Sequence, residues 1–94
     1  MLILNQKIHG VPRGAVYVGR PSEFGNPFVV GKDGQRGECR DKYREWVKTQ
    51  PALLKKIRKL AGKDLVCWCW PDACHAEVIM EIANPGWDKD QAPF

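Results

Sequence analysis

Cys67, Cys69, Cys74 and His75 fall within the nine residues CWCWPDACH, which hold three of the chain's four cysteines and one of its two histidines. Residues of these types support three chemistries. Thiolates and an imidazole are the ligands of a structural zinc site. A cysteine beside a histidine is a nucleophile beside its base. A sulfur-rich strand can also be plain core, because cysteine packs as a small hydrophobe. Spacing weighs on each option. Zinc cysteines usually sit on a C-x2-C turn. A C-x-C strand instead sets its two sulfurs side by side, about 6–7 Å apart. Adjacent Cys74 and His75 on a helix point about 100° apart. Zinc held by Cys67, Cys69, Cys74 and His75 stays open as one reading, and no other cofactor is implied. Cys67 alone reads as core. Packing gives no reason for a histidine in a first helical turn, so His75 reads as functional. His9, isolated in a turn, reads as a surface residue.

The elements around the cluster must position it. The run AVYVGR, residues 15–20, is β-branched and aromatic and predicts a strand. Residues 2–5 are a candidate edge strand, and HGVPRG between the two is turn chemistry. PSEFGNPF carries two prolines and a glycine, so regular structure stops there. Residues 38–49 predict a helix with Cys39, Tyr43, Trp46 and Val47 on one stripe. Residues 51–61 predict a second, opened by Pro51 and closed by Gly62, with Lys55, Lys56, Arg58 and Lys59 on its outer face. In KDLVCWC both faces of the strand at 64–69 are apolar, which predicts a central strand covered on each side. Asp72 reads as the N-cap of a helix over 73–83. Asn84-Pro85-Gly86 ends that helix, and residues 85–94 read as a loosely ordered tail. The prediction is one small α/β domain over 1–94, with a short parallel sheet and about three helices.

Parallel strands place their C-terminal ends on one sheet edge, and open α/β sheets bind ligands beyond that edge. The loop after residue 20 and the turn after residue 69 would therefore meet. This predicts a shared site built from Arg20, Ser22, Gly25, Asn26, Cys69, Cys74 and His75. Backbone N–H groups at a helix start favour an anion and a thiolate. Arg20 adds a planar donor fork. The expected ligand is an anionic small molecule such as a nucleotide or a phosphosugar, with Cys74 as nucleophile or His75 as general base. Asp72 or Glu23 is the candidate to orient His75.

Composition bounds the alternatives. The chain has 94 residues and a net charge of +4, with 44% apolar residues. That is globular composition, with no apolar run long enough to span a bilayer. The first residues lack the basic and apolar regions of a signal peptide, so the expected compartment is the cytoplasm, where cysteines stay reduced. A domain this small is marginally stable, and a metal or a homodimer contact would add to it. Residues 32–63 carry eleven basic and four acidic side chains, whereas 64–94 carry one basic and six acidic. These blocks read as two solvated helix faces that partly neutralise each other, or as a footprint for nucleic acid.

The stretches VYVGRPSEFGNPF at 16–28, YREWV at 43–47 and GKDLVCWCWPDACHAEVIMEIAN at 62–84 resemble a small family of phages and bacteria, domain of unknown function 4326. Its motifs, G-R-P-S-x-x-G-N-P-F and C-x-C-x-P-x-x-C-H, match here through Cys67, Cys69, Pro71, Cys74 and His75. The strand–Cys–His–helix unit is also similar to another uncharacterised family with C-x-E and C-H-R elements, but Ala76 stands where that pattern has Arg. The resemblance implies a cytoplasmic α/β protein and brings no established activity. It also fits a phage-type accessory protein that binds a host protein or nucleic acid through basic helices or exposed tryptophans.

Overall fold

The computed structural model describes residues 2–68 and 72–85. Its order is β1 (Ile3–Asn5), α1 (Gln6–His9), β2 (Val16–Tyr17), α2 (Arg36–Val47), α3 (Pro51–Arg58), β3 (Leu65–Cys67) and α4 (His75–Ala83). The three strands form one parallel sheet in the order β1-β3-β2. Ile3 and Val16 both pair with Leu65, from opposite sides. The apolar character of KDLVCWC on both faces follows from this central position: Leu65, Val66 and Cys67 are all buried. Ladder bonds from Val16 N–H to Asp64 O and from Val18 N–H to Val66 O, each 2.9 Å, hold β2 against β3.

Helix α4 contacts β3, α2 and α3. It therefore buries more than a stripe: Ala76, Val78, Ile79 and Met80 have no exposed surface. A helix packed on several sides is apolar over most of its surface, which is why Met80 is core beside Val78 and Ile79. Full burial of side chains such as Val78 or Ile79 contributes about 1.5–3 kcal/mol each. Tyr43 and Val47 of α2 and Ile57 of α3 complete this core with Ile3, Val18 and Leu65. Two ion pairs join α2 to α4: Arg40 with Glu77 at 3.3 Å and Arg44 with Glu81 at 2.9 Å.

Several predicted boundaries shift. Helix α2 begins at Arg36 rather than residue 38, because the Glu38 carboxylate reaches back to the Gln35 N–H at 3.0 Å and closes the first turn. Helix α3 ends at Arg58 rather than residue 61. Strand β2 is shorter than 15–20, since only Val16 and Tyr17 pair with β3. The turn chemistry near residue 9 conceals a single helical turn, α1, capped by the Asn5 side chain on the Lys7 N–H at 2.9 Å. Asp72 is not the N-cap of α4; Cys74 is, and the helix starts at His75 rather than residue 73. Of the predicted tail, residues 86–94 lie outside the described residues.

Candidate functional site

Both motif loops leave the sheet at its C-terminal edge, and a cleft of about 380 Å³ lies between them. Its lining includes Arg20 and Asn26 from the first loop, Arg36, Cys39 and Arg40 from α2, and Cys67, Trp68, Cys74 and His75 from the second strand–helix junction. Of the predicted residues, Arg20, Asn26, Cys74 and His75 thus share one cleft. Ser22 and Gly25, also predicted, are not among its lining residues. Cys69 lies outside the described residues.

Cys74 is the N-cap because its backbone is extended (φ −145°, ψ 144°) and its sulfur accepts the Ala76 N–H at 3.5 Å. Glu77, three residues on, accepts the Cys74 N–H at 2.9 Å. This is the reciprocal capping box usually built on serine or threonine, here with sulfur in place of the hydroxyl. Cys74 is 3% exposed.

His75 is 8% exposed, and its Nε2 lies 2.7 Å from the Val18 carbonyl oxygen. A carbonyl only accepts, so Nε2 is the protonated nitrogen and Nδ1 keeps its lone pair in the neutral ring. Nδ1 faces the Cys74 sulfur at 3.8 Å. Burial pushes the His75 pKa down, the bond to Val18 opposes this, and the Arg20 charge lowers it further. The ring therefore stays neutral near pH 7. The group that orients it is the Val18 carbonyl, where the sequence suggested Asp72 or Glu23. Tyr43 packs edge-on against the ring, centroids 5.1 Å apart. The Tyr43 hydroxyl donates to Phe24 O at 3.1 Å, which ties α2 to the first loop.

The first loop is built to carry Arg20. Ser22 N–H donates to Gly19 O at 2.9 Å, and Gly25 N–H to Ser22 O at 3.0 Å. The Arg20 stem crosses directly over Gly25: a Cβ there would sit 2.8 Å from Arg20 Cγ and 3.1 Å from Ser22 O. Gly25 thus acts by leaving room for the arginine. The Asn26 amide is engaged in bracing the loop, donating to Cys39 O at 3.2 Å and accepting from Phe28 N–H at 2.9 Å.

Arg36, Arg40 and Trp68 are site residues that sequence reasoning missed. Arg36 lies between Gly34 and Gly37, which argue against a helix, yet it opens α2. Among the described residues, Arg20 and Arg36 make no ion pair, whereas Arg40 is paired with Glu77 and Asp41. The cleft therefore presents uncompensated positive charge. Elsewhere on α2 the basic block is largely matched: Arg44 pairs with Glu81 and Asp41, and Lys48 with Glu45. Among the described residues no three His, Cys, Asp or Glu side chains form a group that could hold a metal ion. No described helix is long and apolar enough to cross a membrane.

Fold and cleft define a small α/β protein whose parallel sheet opens at its C-terminal edge onto a cationic pocket beside a cysteine–histidine pair. The chain belongs to the family described as Domain of unknown function (DUF4326), which matches residues 4–85. All three stretches that carried the resemblance fall inside that span. No curated protein and no solved structure matches the chain.

Proposed function

We propose that this protein binds an anionic small molecule, a nucleotide or a sugar phosphate, in the cleft at the C-terminal edge of its sheet, and that Cys74 and His75 act on it. The observation that carries this reading is the placement of Arg20 and Arg36, without acidic partners among the described residues, in one cleft with the Cys74–His75 pair. Guanidinium forks suit phosphate and carboxylate oxygens. The cleft volume lies within the range of about 300–1,000 Å³ common for small-molecule sites.

The pair supports nucleophilic chemistry. The Cys74 thiol proton passes to His75 Nδ1, and the imidazolium that forms keeps its Nε2–H on Val18 O. The thiolate stays at the N-terminus of α4, where the helix dipole and the Ala76 N–H favour negative charge. Arg20 couples binding to this step. Its charge holds down the proton affinity of His75 in the empty site, and an anion seated on Arg20 offsets that charge. The base is therefore strongest when the ligand is present.

The test is a thermal-shift screen of nucleoside monophosphates and sugar phosphates. A ligand at one hundred times its Kd adds about 2.7 kcal/mol, a rise of several degrees for a domain of this size. Arg20→Ala should abolish the rise and Arg36→Ala should reduce it. Absence of any shift across the panel rejects the reading.

A further inference from the structure

Trp68 is the residue of the cleft that anion binding leaves unexplained. It is 48% exposed, yet its ring is tethered rather than loose. The indole Nε1–H donates to the Tyr17 hydroxyl at 2.6 Å, and that hydroxyl donates to the Arg20 carbonyl at 3.0 Å. The Trp68 carbonyl accepts from the Asn5 side chain at 3.2 Å. Lys7 Nζ lies 5.9 Å from the ring centroid. Gly19 gives the Tyr17 ring its space, since a Cβ at position 19 would overlap that ring. The result is an exposed indole, fixed at both its ring nitrogen and its backbone, on the lining of a cleft that also holds Arg20 and Arg36.

Building on the anion-site reading above, we infer that Trp68 is a stacking platform for a nucleobase, and that the ligand is a nucleotide rather than a sugar phosphate. Apolar surface kept in water costs stability, and here it is also locked in place by two hydrogen bonds. A pre-oriented aromatic face binds a planar ring with little loss of side-chain entropy. One hydroxyl, that of Tyr17, sets both the indole and the backbone of Arg20, so the platform and the phosphate-binding fork share one frame. A ligand with a planar ring at one end and an anion at the other satisfies both. The cleft is near the lower end of small-molecule volumes, which suits a single nucleotide.

Isothermal titration of the intact protein with AMP, GMP, CMP, UMP and ribose 5-phosphate tests this. At least one nucleotide should bind ten-fold or more tightly than ribose 5-phosphate. Trp68→Leu should weaken that nucleotide by roughly 5- to 150-fold, the range a stacked base spans, and weaken ribose 5-phosphate far less. Trp68→Phe should keep part of the nucleotide preference, because it keeps an aromatic face while giving up the fused ring and the N–H tether. If nucleotide and ribose 5-phosphate bind equally, or Trp68→Leu weakens both alike, the stacking role is overturned while the anion site stands. If none of the five binds, both fall. The native-protein comparison and the Phe variant decide the matter even if the Leu variant does not fold.

Discussion

His75 Nε2 and the Val18 carbonyl oxygen, 57 positions apart in sequence, are joined by a 2.7 Å hydrogen bond. It links the first turn of α4 to the chain just beyond β2, and so locks the two motif loops together. It also decides which histidine nitrogen faces the cysteine.

The same burial makes His75 a determinant of acid stability. Its native pKa lies below the ordinary value of about 6.5. Below that pH the unfolded chain takes up a proton that the native ring resists, so the unfolded state binds more protons. Stability is then full above about pH 6.5 and is lost as pH falls toward the native pKa. His75→Gln keeps a donor near Val18 O and removes the titration. Urea midpoints at pH 7.5 and 5.5 should fall less in the variant than in the parent. An equal fall would show that other groups govern the acid response.

Cys74 should alkylate ahead of Cys39 and Cys67 when iodoacetamide is titrated in near neutral pH, as followed by peptide mass spectrometry. All three are buried, so exposure does not favour one of them; the N-cap position and the His75 lone pair do. His75→Gln should remove the lead of Cys74. Equal, slow labelling of the three in the parent protein would reject an activated thiol.

Gly25→Ala should destabilise the protein by about 1–3 kcal/mol, the usual cost of overpacking. Its methyl group would meet the Arg20 stem and the Ser22 carbonyl. Because the arginine has to move, any ligand-induced rise in Tm should shrink as well. Denaturant melts with and without ligand measure both effects, and a variant that matches the parent in each would contradict the packing described.

Tyr43→Phe isolates a single hydroxyl. The ring stays in the core, but the Phe24 carbonyl loses its donor. An unsatisfied buried acceptor costs about 1–3 kcal/mol. Urea denaturation should show that loss with little change in the m-value, whereas a neutral result would mean that solvent reaches the Phe24 carbonyl.

The sequence made the architecture legible where period and polarity agreed. The doubly apolar stretch at 64–69 reads as a central strand, which β3 (Leu65–Cys67) is, and two parallel strands with unusual residues after them bring those residues to one edge. That alone places Arg20, Asn26, Cys74 and His75 together. Local detail was harder to read. Asp72 is a better capping residue than cysteine by propensity, but Glu77 lies three residues after Cys74, and C-x-x-E closes the box that S-x-x-E usually makes. Gly34 and Gly37 masked Arg36, because glycine argues against helix while Glu38 favours it. Trp68 was assigned to a covered strand face, yet it falls just past the last ladder pair, where the side chain emerges into the cleft. The role of Gly25 rests on the path of the Arg20 side chain, which no pattern in the chain encodes.

Among the described residues β1 and β2 do not pair with each other; each pairs with β3. The first ladder therefore needs Leu65, which emerges from the ribosome some sixty residues after Ile3. Until then neither early strand has a template, and Leu4 and Val16 travel with open backbone edges. Every sheet contact is non-local, the property that slows folding in small domains. The sheet therefore cannot form until β3 has been made, and the strand that completes it runs directly on to the cysteine–histidine pair.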